Sequence, residues 1–485
     1  MNIRLIIFLL GKISVLMGLV QIINFAMAIY FDEACSKEFL LSIVFAIALG
    51  YGMQHYGKDA ADDDISLREG IGTVFFSWVL AAGIAGVPFV LVGVLDPVSA
   101  YFEAMSGLTT TGATAIKDLE VLPKSLLFWR AMNHWIGGIG IIVIFVALLP
   151  QMAGSAVYLF NAEVTGFSNS RILPRIRTTA IALFYIYLLL TIILTGVLAS
   201  MGMSVYDAVY HACSCIATGG FSNYNNSVAH FSSPMIEYAL SIFMVLAAGN
   251  FAIYYQVTQN GIKALWEDLE FKTYIGMVLI FSVLITLNIV LVNGYSLENG
   301  FRSAFFHVAS FSSTTGFVAN DYDQWPPFAR MMLAIMFFTG GCAGSTAGGI
   351  KICRLIVLVK TVGAELRRSL HPQMLSSVYY GKARLSLATI TNIGRFFFMY
   401  FFVVAFLTLA TTASGIPPEE AIFGIASCLA SVGPAFGSLG ATGTYADISA
   451  SAKIAMSLAM LLGRLELFTA LALLRSEYWH KSKRW

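Results

Sequence analysis

The sequence predicts an all-α polytopic membrane protein. Two leading transmembrane helices precede four repeats of span, short pore helix and span, arranged around a central pore. Three observations predict this. The 485 residues are 58% hydrophobic and 12% charged, with a mean hydropathy of +0.77, whereas soluble domains are about a quarter charged. Long runs without Asp, Glu, Lys or Arg recur along the chain. Between those runs, four segments share one register. The net charge of +2 identifies no partner, and nothing suggests nucleic-acid binding.

The first run, Ile13–Phe31, follows Arg4 and Lys12 and ends beside a small-residue "AMA" resembling a signal-peptidase site. Its length suits a retained span better than a signal-peptide core. The others are Phe39–Gly57, Gly70–Leu95, Ala131–Ala162, Thr178–Tyr206, Tyr238–Ile262, Thr273–Leu297, Met331–Ile350 and Phe396–Pro418. A tenth, Ile454–Leu474, is interrupted by Arg464 and Glu466. A bilayer core takes about 20 helical residues, so ten spans are expected. Most basic residues fall on one side of that topology, which makes both termini cytoplasmic. The longest cytoplasmic connection, Lys351 to Arg395, carries Arg367 and Arg368. It reads equally as a docking surface or as plain positive-inside bias.

The four registered segments are "YFEAMSGLTTTGAT", "VYHACSCIATGGFS", "FFHVASFSSTTGFV" and "IFGIASCLASVGPA". They align on Gly112, Gly220, Gly316 and Gly433. Phe102, Tyr210, Phe306 and Phe423 then coincide, as do Ser106, Ser214, Ser310 and Ser427, and Thr110, Thr218, Thr314 and Ser431. The period is about one hundred residues. The implied units are a two-helix hairpin over 1–68, pore repeats over 69–162, 163–262 and 263–387, and a fourth repeat with a cytoplasmic tail over 388–485. Each apolar helix before a turn is too short to cross, so it is re-entrant. Irregular backbone at membrane depth persists only inside protein or along a wet cavity.

The turns contain no carboxylate, imidazole or thiol pair at aligned positions. They offer hydroxyls, backbone carbonyls and a glycine able to take φ > 0. Rings of carbonyl oxygens replace the hydration shell of a monovalent cation. Pore helices ending at the turns aim their negative dipole ends at the same place, whereas an anion would favour helix N-termini. A cation such as K⁺ fits this chemistry. Close packing of small residues is the plainer reading for one such turn, and four in register argue against it.

On these residues the chain resembles the Trk/Ktr/HKT superfamily of potassium transporters, most of all its bacterial TrkH/TrkG branch, over nearly its whole length. The resemblance implies uptake of K⁺, and of Rb⁺, through the bacterial inner membrane by a multi-pass protein. It implies K⁺ as the only bound metal, held by Thr110, Thr111, Gly112, Thr218, Gly219, Gly220, Thr314, Thr315, Gly316, Ser431, Val432 and Gly433. No covalent cofactor is implied. The implied partners are membrane lipid, a second copy in a homodimer, and a cytoplasmic nucleotide-binding (RCK-type) regulatory ring. Gly219 rivals Gly220 as the second filter glycine, and the shared spacings favour Gly220. In the fourth turn, Val432 and Pro434 make the ring imperfectly fourfold. Whether transport is a passive leak down the gradient or a symport stays open.

The run from Met331 contains "GGCAGSTAGG". Each glycine costs a helix roughly 1 kcal/mol relative to alanine, so Gly340, Gly341, Gly344, Gly348 and Gly349, with Ser345 and Thr346 among them, predict an unwound segment. A nucleotide-binding P-loop is excluded, because Ile350 stands where its lysine would be. A packing hinge remains open. The preferred reading is a loop that crosses and blocks the pore, the role the resemblance implies. Arg464, the one basic residue within a predicted span, is placed to cap that loop's carbonyls and repel cations; snorkelling to the interface is the alternative. Gly137, Gly138, Gly140, Gly249 and Gly463 read as kinks or close contacts. Glu103, His211 and His307 share a register and read as pore-helix packing.

Two other function classes are considered. An ion-coupled carrier for another solute would show two inverted halves. An intramembrane enzyme would need a His/Asp/Glu or Ser/Lys constellation at depth, and His134 and His230 have no suitably spaced partner for zinc. The six cysteines form no CxxC pair and read as small core residues.

Overall fold

The computed structural model describes residues 1–61, 63, 65–140, 176–373, 377–381, 383–465 and 467–479. The chain opens with α1 (Ile3–Tyr30) and α2 (Ser36–Tyr56), an antiparallel pair. Gly11 and Gly50 face each other: a Cβ on Gly50 would lie 2.7 Å from the Gly11 carbonyl oxygen. Only hydrogen at both positions lets the backbones approach so closely. The buried stripe of α1, with Leu5, Leu9, Ile13 and Met17, joins the core built around the first and fourth repeats.

The first repeat is α3 (Leu67–Leu91), α4 (Pro97–Leu108) and α5 (Lys124–Ile139). The second is α6 (Ile176–Ser200), α7 (Val205–Ile216), α8 (Pro234–Ala247) and α9 (Phe251–Asn260). A short α10 (Lys263–Glu267) leads to the third: α11 (Leu269–Asn293), α12 (Leu297–Ser312), α13 (Pro327–Met336) and α14 (Ile352–Leu370). A two-residue-stranded ribbon, Tyr379–Tyr380 against Ala383–Arg384, precedes the fourth: α15 (Leu387–Ala413), α16 (Pro418–Ala430), α17 (Ala450–Arg464) and α18 (Leu467–Ala472).

The four short helices are α4, α7, α12 and α16, of 12, 12, 16 and 13 residues. At 1.5 Å per residue none crosses a bilayer. Their starts are set by local chemistry. The side chains of Asp96, Ser204 and Ser296 accept N–H bonds from the first turns of α4, α7 and α12, and Pro418 opens α16.

The expected ten spans are not ten unbroken helices. Among the described residues, six helices are long and apolar enough to cross unbroken, seven if α8 and α9, bent by 90°, count as one. The expected second spans of repeats two, three and four are interrupted. In the first repeat α5 ends at Gly140, with φ +86°, and the rest of Ala131–Ala162 lies outside the described residues. So do Glu466, Arg171, Arg175, Lys382 and the tail lysines. In repeats one and four the break lies beside a close approach to the pore helix. A Cβ at Gly137 would overlap the carbonyl of Leu108, and one at Gly463 that of Leu429. These glycines therefore seat the second helix against the end of its own pore helix.

All six cysteines are free and buried, as expected of small core residues.

Candidate functional site

The four turns superimpose in conformation. Thr110, Thr218, Thr314 and Ser431 hold φ between 55° and 59°, and Gly112, Gly220, Gly316 and Gly433 hold φ between 78° and 98°. The residue between them is not left-handed in any repeat. A left-handed backbone costs a non-glycine residue about 1–2 kcal/mol. It is held here four times over by one bond: the N–H before each glycine donates to the carbonyl of Ser106, Ser214, Ser310 or Ser427, at 2.8–2.9 Å. Alternating the sign of φ turns successive peptide planes over, which brings consecutive carbonyls to one side of the strand.

The turns close into a ring. A Cβ on Gly112 would overlap the carbonyl oxygen of Gly219; on Gly220, that of Thr315; on Gly316, that of Val432; on Gly433, that of Thr111. Each glycine abuts the next repeat's carbonyl, and the fourth returns to the first. That cycle makes Gly220 the equivalent glycine. Gly219 is small for another reason, since a Cβ there would overlap the His134 ring. His134 stacks on Phe221 at 4.1 Å and meets Ser214 Oγ at 3.0 Å.

The ring is fourfold only in its backbone. In repeats one and three, Thr111 and Thr315 turn back to the hydroxyls of Thr109 and Ser313, at 2.8 and 2.6 Å. Gly219 and Val432 have no such group. In the fourth turn Tyr445 donates to the Gly433 carbonyl at 2.7 Å and Tyr322 to the Ala435 carbonyl at 2.8 Å. One mouth opens into a chamber of about 80 Å³ edged by Gly112, Gly220, Gly316 and Pro434.

The glycine-rich segment lies against the other side of the ring. Its limbs meet at a stem, with Gly340 N–H donating to Ile350 at 2.8 Å and Ile352 N–H to Gly341 at 3.2 Å. The tip touches repeats two, three and four directly. Gly348 N–H donates to Thr314 Oγ1 at 2.7 Å, and Gly348 packs on Ala430 and Ser431. Thr346 donates towards the carbonyls of Ile216 and Ala247, at 3.1 and 3.2 Å. Gly344 (φ +72°) accepts from Phe251 N–H at 3.2 Å, and Ser345 donates to Cys342. Arg464 supplies the link to repeat one. It donates to Thr110 Oγ1 at 3.3 Å, to the Thr346 carbonyl at 3.2 Å and to the Gly138 carbonyl at 3.1 Å, and it also bonds Gly137. Arg464 faces the protein interior; snorkelling is not what it does. Beyond the loop lies a cavity of about 150 Å³ lined in part by Tyr187, Lys351, Tyr400 and Arg464.

Two sequence expectations change. Lys351, read as the start of a docking surface, is buried, and its ammonium bonds the Ala347 carbonyl within the loop. Arg464 is not alone among basic residues inside the fold. Arg130 is 1% exposed and donates to Glu103 at 2.8 Å and to the Ser222 carbonyl at 2.9 Å, over the Phe221 ring. Glu103 in turn accepts the Ala115 N–H at 2.7 Å. Removing one partner of such a buried pair typically costs about 3–5 kcal/mol, so the pair braces the first and second turns from behind. The shared register had marked Glu103 but not its partner.

A family description, TrkH, cation transport protein, matches residues 35–481. The chain belongs to the TrkH family of cation transport proteins. It is 33% identical over 486 residues to the Trk system potassium uptake protein TrkH of Salmonella typhimurium, covering 99% of this chain and all of that relative. It is 30% identical over 483 residues to TrkG of Escherichia coli, covering 99% of each. The crystal structure of the potassium transporter TrkH from Vibrio parahaemolyticus superimposes with a TM-score of 0.90 at 30% identity, over 99% of this chain and all of the other. This TrkH-family chain is accordingly a multi-pass membrane protein, and its relatives are transport proteins. Among the described residues no group of His, Cys, Asp and Glu is placed to hold a metal ion.

Proposed function

We propose that this TrkH-family chain conducts K⁺, with Rb⁺ as a close substitute, for potassium uptake across a bacterial inner membrane, with both termini cytoplasmic. The closed ring of four glycine-to-carbonyl contacts carries the reading. It concentrates backbone oxygens at the C-terminal ends of four helices, where partial negative charge favours a cation. K⁺ is the cargo, held by the turn residues from Thr110–Gly112, Thr218–Gly220, Thr314–Gly316 and Ser431–Gly433. The loop over Gly340–Gly349 is the gate and Arg464 its anchor and positive barrier. The test is uptake of K⁺, Rb⁺, Na⁺ and Li⁺ into liposomes holding the purified protein. K⁺ and Rb⁺ should exceed Na⁺ and Li⁺; equal rates for all four overturn the reading.

The bond from Tyr445 to Gly433 anchors the least regular quarter of the ring. A neutral hydrogen bond contributes about 1 kcal/mol. Tyr445→Phe is therefore expected to lower the Rb⁺/Na⁺ uptake ratio by about three- to fivefold, with total protein and folding unchanged. An unchanged ratio would show that the ring holds its shape without this tyrosine.

The protein acts as a homodimer docked on a cytoplasmic nucleotide-binding ring. What supports this is the family together with the exposed basic end of α14, where Arg367 and Arg368 stand free of the core. Reversing both charges to Glu should weaken co-purification with such a ring. Retention at both low and high salt would remove the docking surface from consideration.

A further inference from the structure

The mechanism above leaves the buried carboxylate of Glu270, beside the loop, unused. Glu270 is 4% exposed and lies in the first turn of α11, which Asp268 caps by accepting the Phe271 N–H at 2.7 Å. A single oxygen, Oε1, accepts two backbone N–H groups: Ala343 at 2.8 Å and Cys353 at 2.9 Å. Ala343 is on the limb that enters the loop and Cys353 follows the limb that leaves it. The stem bonds between Gly340 and Ile350 and between Gly341 and Ile352 hold those limbs side by side, which is why one atom reaches both.

We propose that Glu270 is the latch of the gate, a positioning residue that holds both ends of the loop to the first span of the third repeat. The proposal rests on the gate reading given above. The physical case is an asymmetry between states. With the loop seated, two N–H groups are buried and depend on this carboxylate; bonds to a charged acceptor are the stronger kind, and an orphaned buried donor is costly. With the loop swung out, water reaches the same groups. Deleting the acceptor therefore penalises the closed state selectively. The latch also stands where an external displacement would be felt. Cys353 belongs to the first turn of α14, a helix of 19 residues, about 28 Å long. Its far end carries the exposed Arg367 and Arg368. Movement of α14 draws the Cys353 N–H away from Oε1.

The test uses the full chain in liposomes without any regulator, with Cys35, Cys213, Cys215 and Cys428 replaced by alanine. Two readouts are taken: Rb⁺ uptake, and maleimide labelling of Cys342 and Cys353, which are 0% and 3% exposed with the loop seated. Glu270→Met replaces the carboxylate with a weakly accepting thioether and is expected to raise both rates about tenfold, one charge-assisted bond's worth, with the Rb⁺/Na⁺ ratio unchanged. Glu270→Gln keeps an oxygen in place and should stay within about threefold of the parent. Glu270→Asp keeps the charge on a shorter stem, cannot reach both N–H groups, and should fall between them; it also serves if the Met variant fails to fold. Parental flux and labelling in folded Met or Asp variants overturn the latch. So does a Met variant that adds as much flux to a loop-deleted protein as to the intact one. If deleting the loop itself raises no flux, the gate reading fails; a leaky deletion with silent Glu270 variants removes the latch alone.

Discussion

Replacing Gly316 with alanine is expected to reduce K⁺/Na⁺ discrimination by at least about tenfold, and Gly112→Ala likewise. Two effects combine. The backbone at Gly316 has φ +81°, which an L side chain rarely adopts, and the added Cβ would overlap the Val432 carbonyl oxygen of the neighbouring repeat. Strain of about 1–2 kcal/mol from the left-handed backbone is the smaller part. The overlap is with backbone, which has no rotamer to yield, so the ring must open at that joint. Because each glycine abuts a different repeat, a breach at any of the four lets the carbonyls splay and pass Na⁺ with part of its hydration shell. The measurement is paired Rb⁺ and Na⁺ uptake for Gly112, Gly220, Gly316 and Gly433 variants. Discrimination preserved in all four would sink the filter assignment. A Gly219→Ala variant is the internal comparison: its Cβ meets the His134 side chain and not a neighbouring repeat's carbonyl, so its effect on the ring should be milder.

Removing the gate should have the opposite sign. Arg464→Ala deletes the bonds to Thr346, Thr110, Gly137 and Gly138 together with the positive charge. Deleting part of the Gly341–Gly349 segment removes the barrier itself. Each change is expected to raise regulator-free Rb⁺ uptake about tenfold or more, since bonds from a charged donor contribute roughly 1.5–3 kcal/mol each. The double change should add less than the sum, because both act on one element. Discrimination between Rb⁺ and Na⁺ should survive, because the ring is built from other residues. Reduced flux in well-folded Arg464→Ala would mean that the arginine supports the conducting state, and the loop would need a different account.

Much of this arrangement is legible in the sequence because it is repeated or locally extreme. Four glycines at about hundred-residue spacing reveal the ring, since the same backbone problem is solved four times with the same residue. Five glycines within ten positions reveal the broken helix, since their combined helix cost is about 5 kcal/mol relative to alanine. The interrupted second spans of the other repeats are less visible. Gly249 and Gly463 are single glycines and Gly137 opens a short Gly-Gly-Ile-Gly run, which membrane helices often tolerate, and only their contact with a pore-helix end or a neighbouring side chain sets them apart. Arg130, Tyr445 and Glu270 carry no signal at all in one chain. Their partners lie 27, 12 and 73–83 residues away, with no period and no motif linking them.

The sequence by itself determined the membrane class, the two leading helices, the four re-entrant turns, the equivalence of Gly112, Gly220, Gly316 and Gly433, and the unwinding over Gly340–Gly349. All of these follow from hydropathy, backbone propensity and repetition, which are local or self-referential properties of a chain. Only the tertiary structure decided that the four turns close in the order of the chain, that Gly219 makes room for His134, that the loop tip touches three repeats and reaches the first through Arg464, and that one oxygen of Glu270 holds both its limbs. Those are contacts between residues far apart in sequence. Their energy depends on ångström-scale placement of carbonyls and N–H groups, which residue identity alone does not encode.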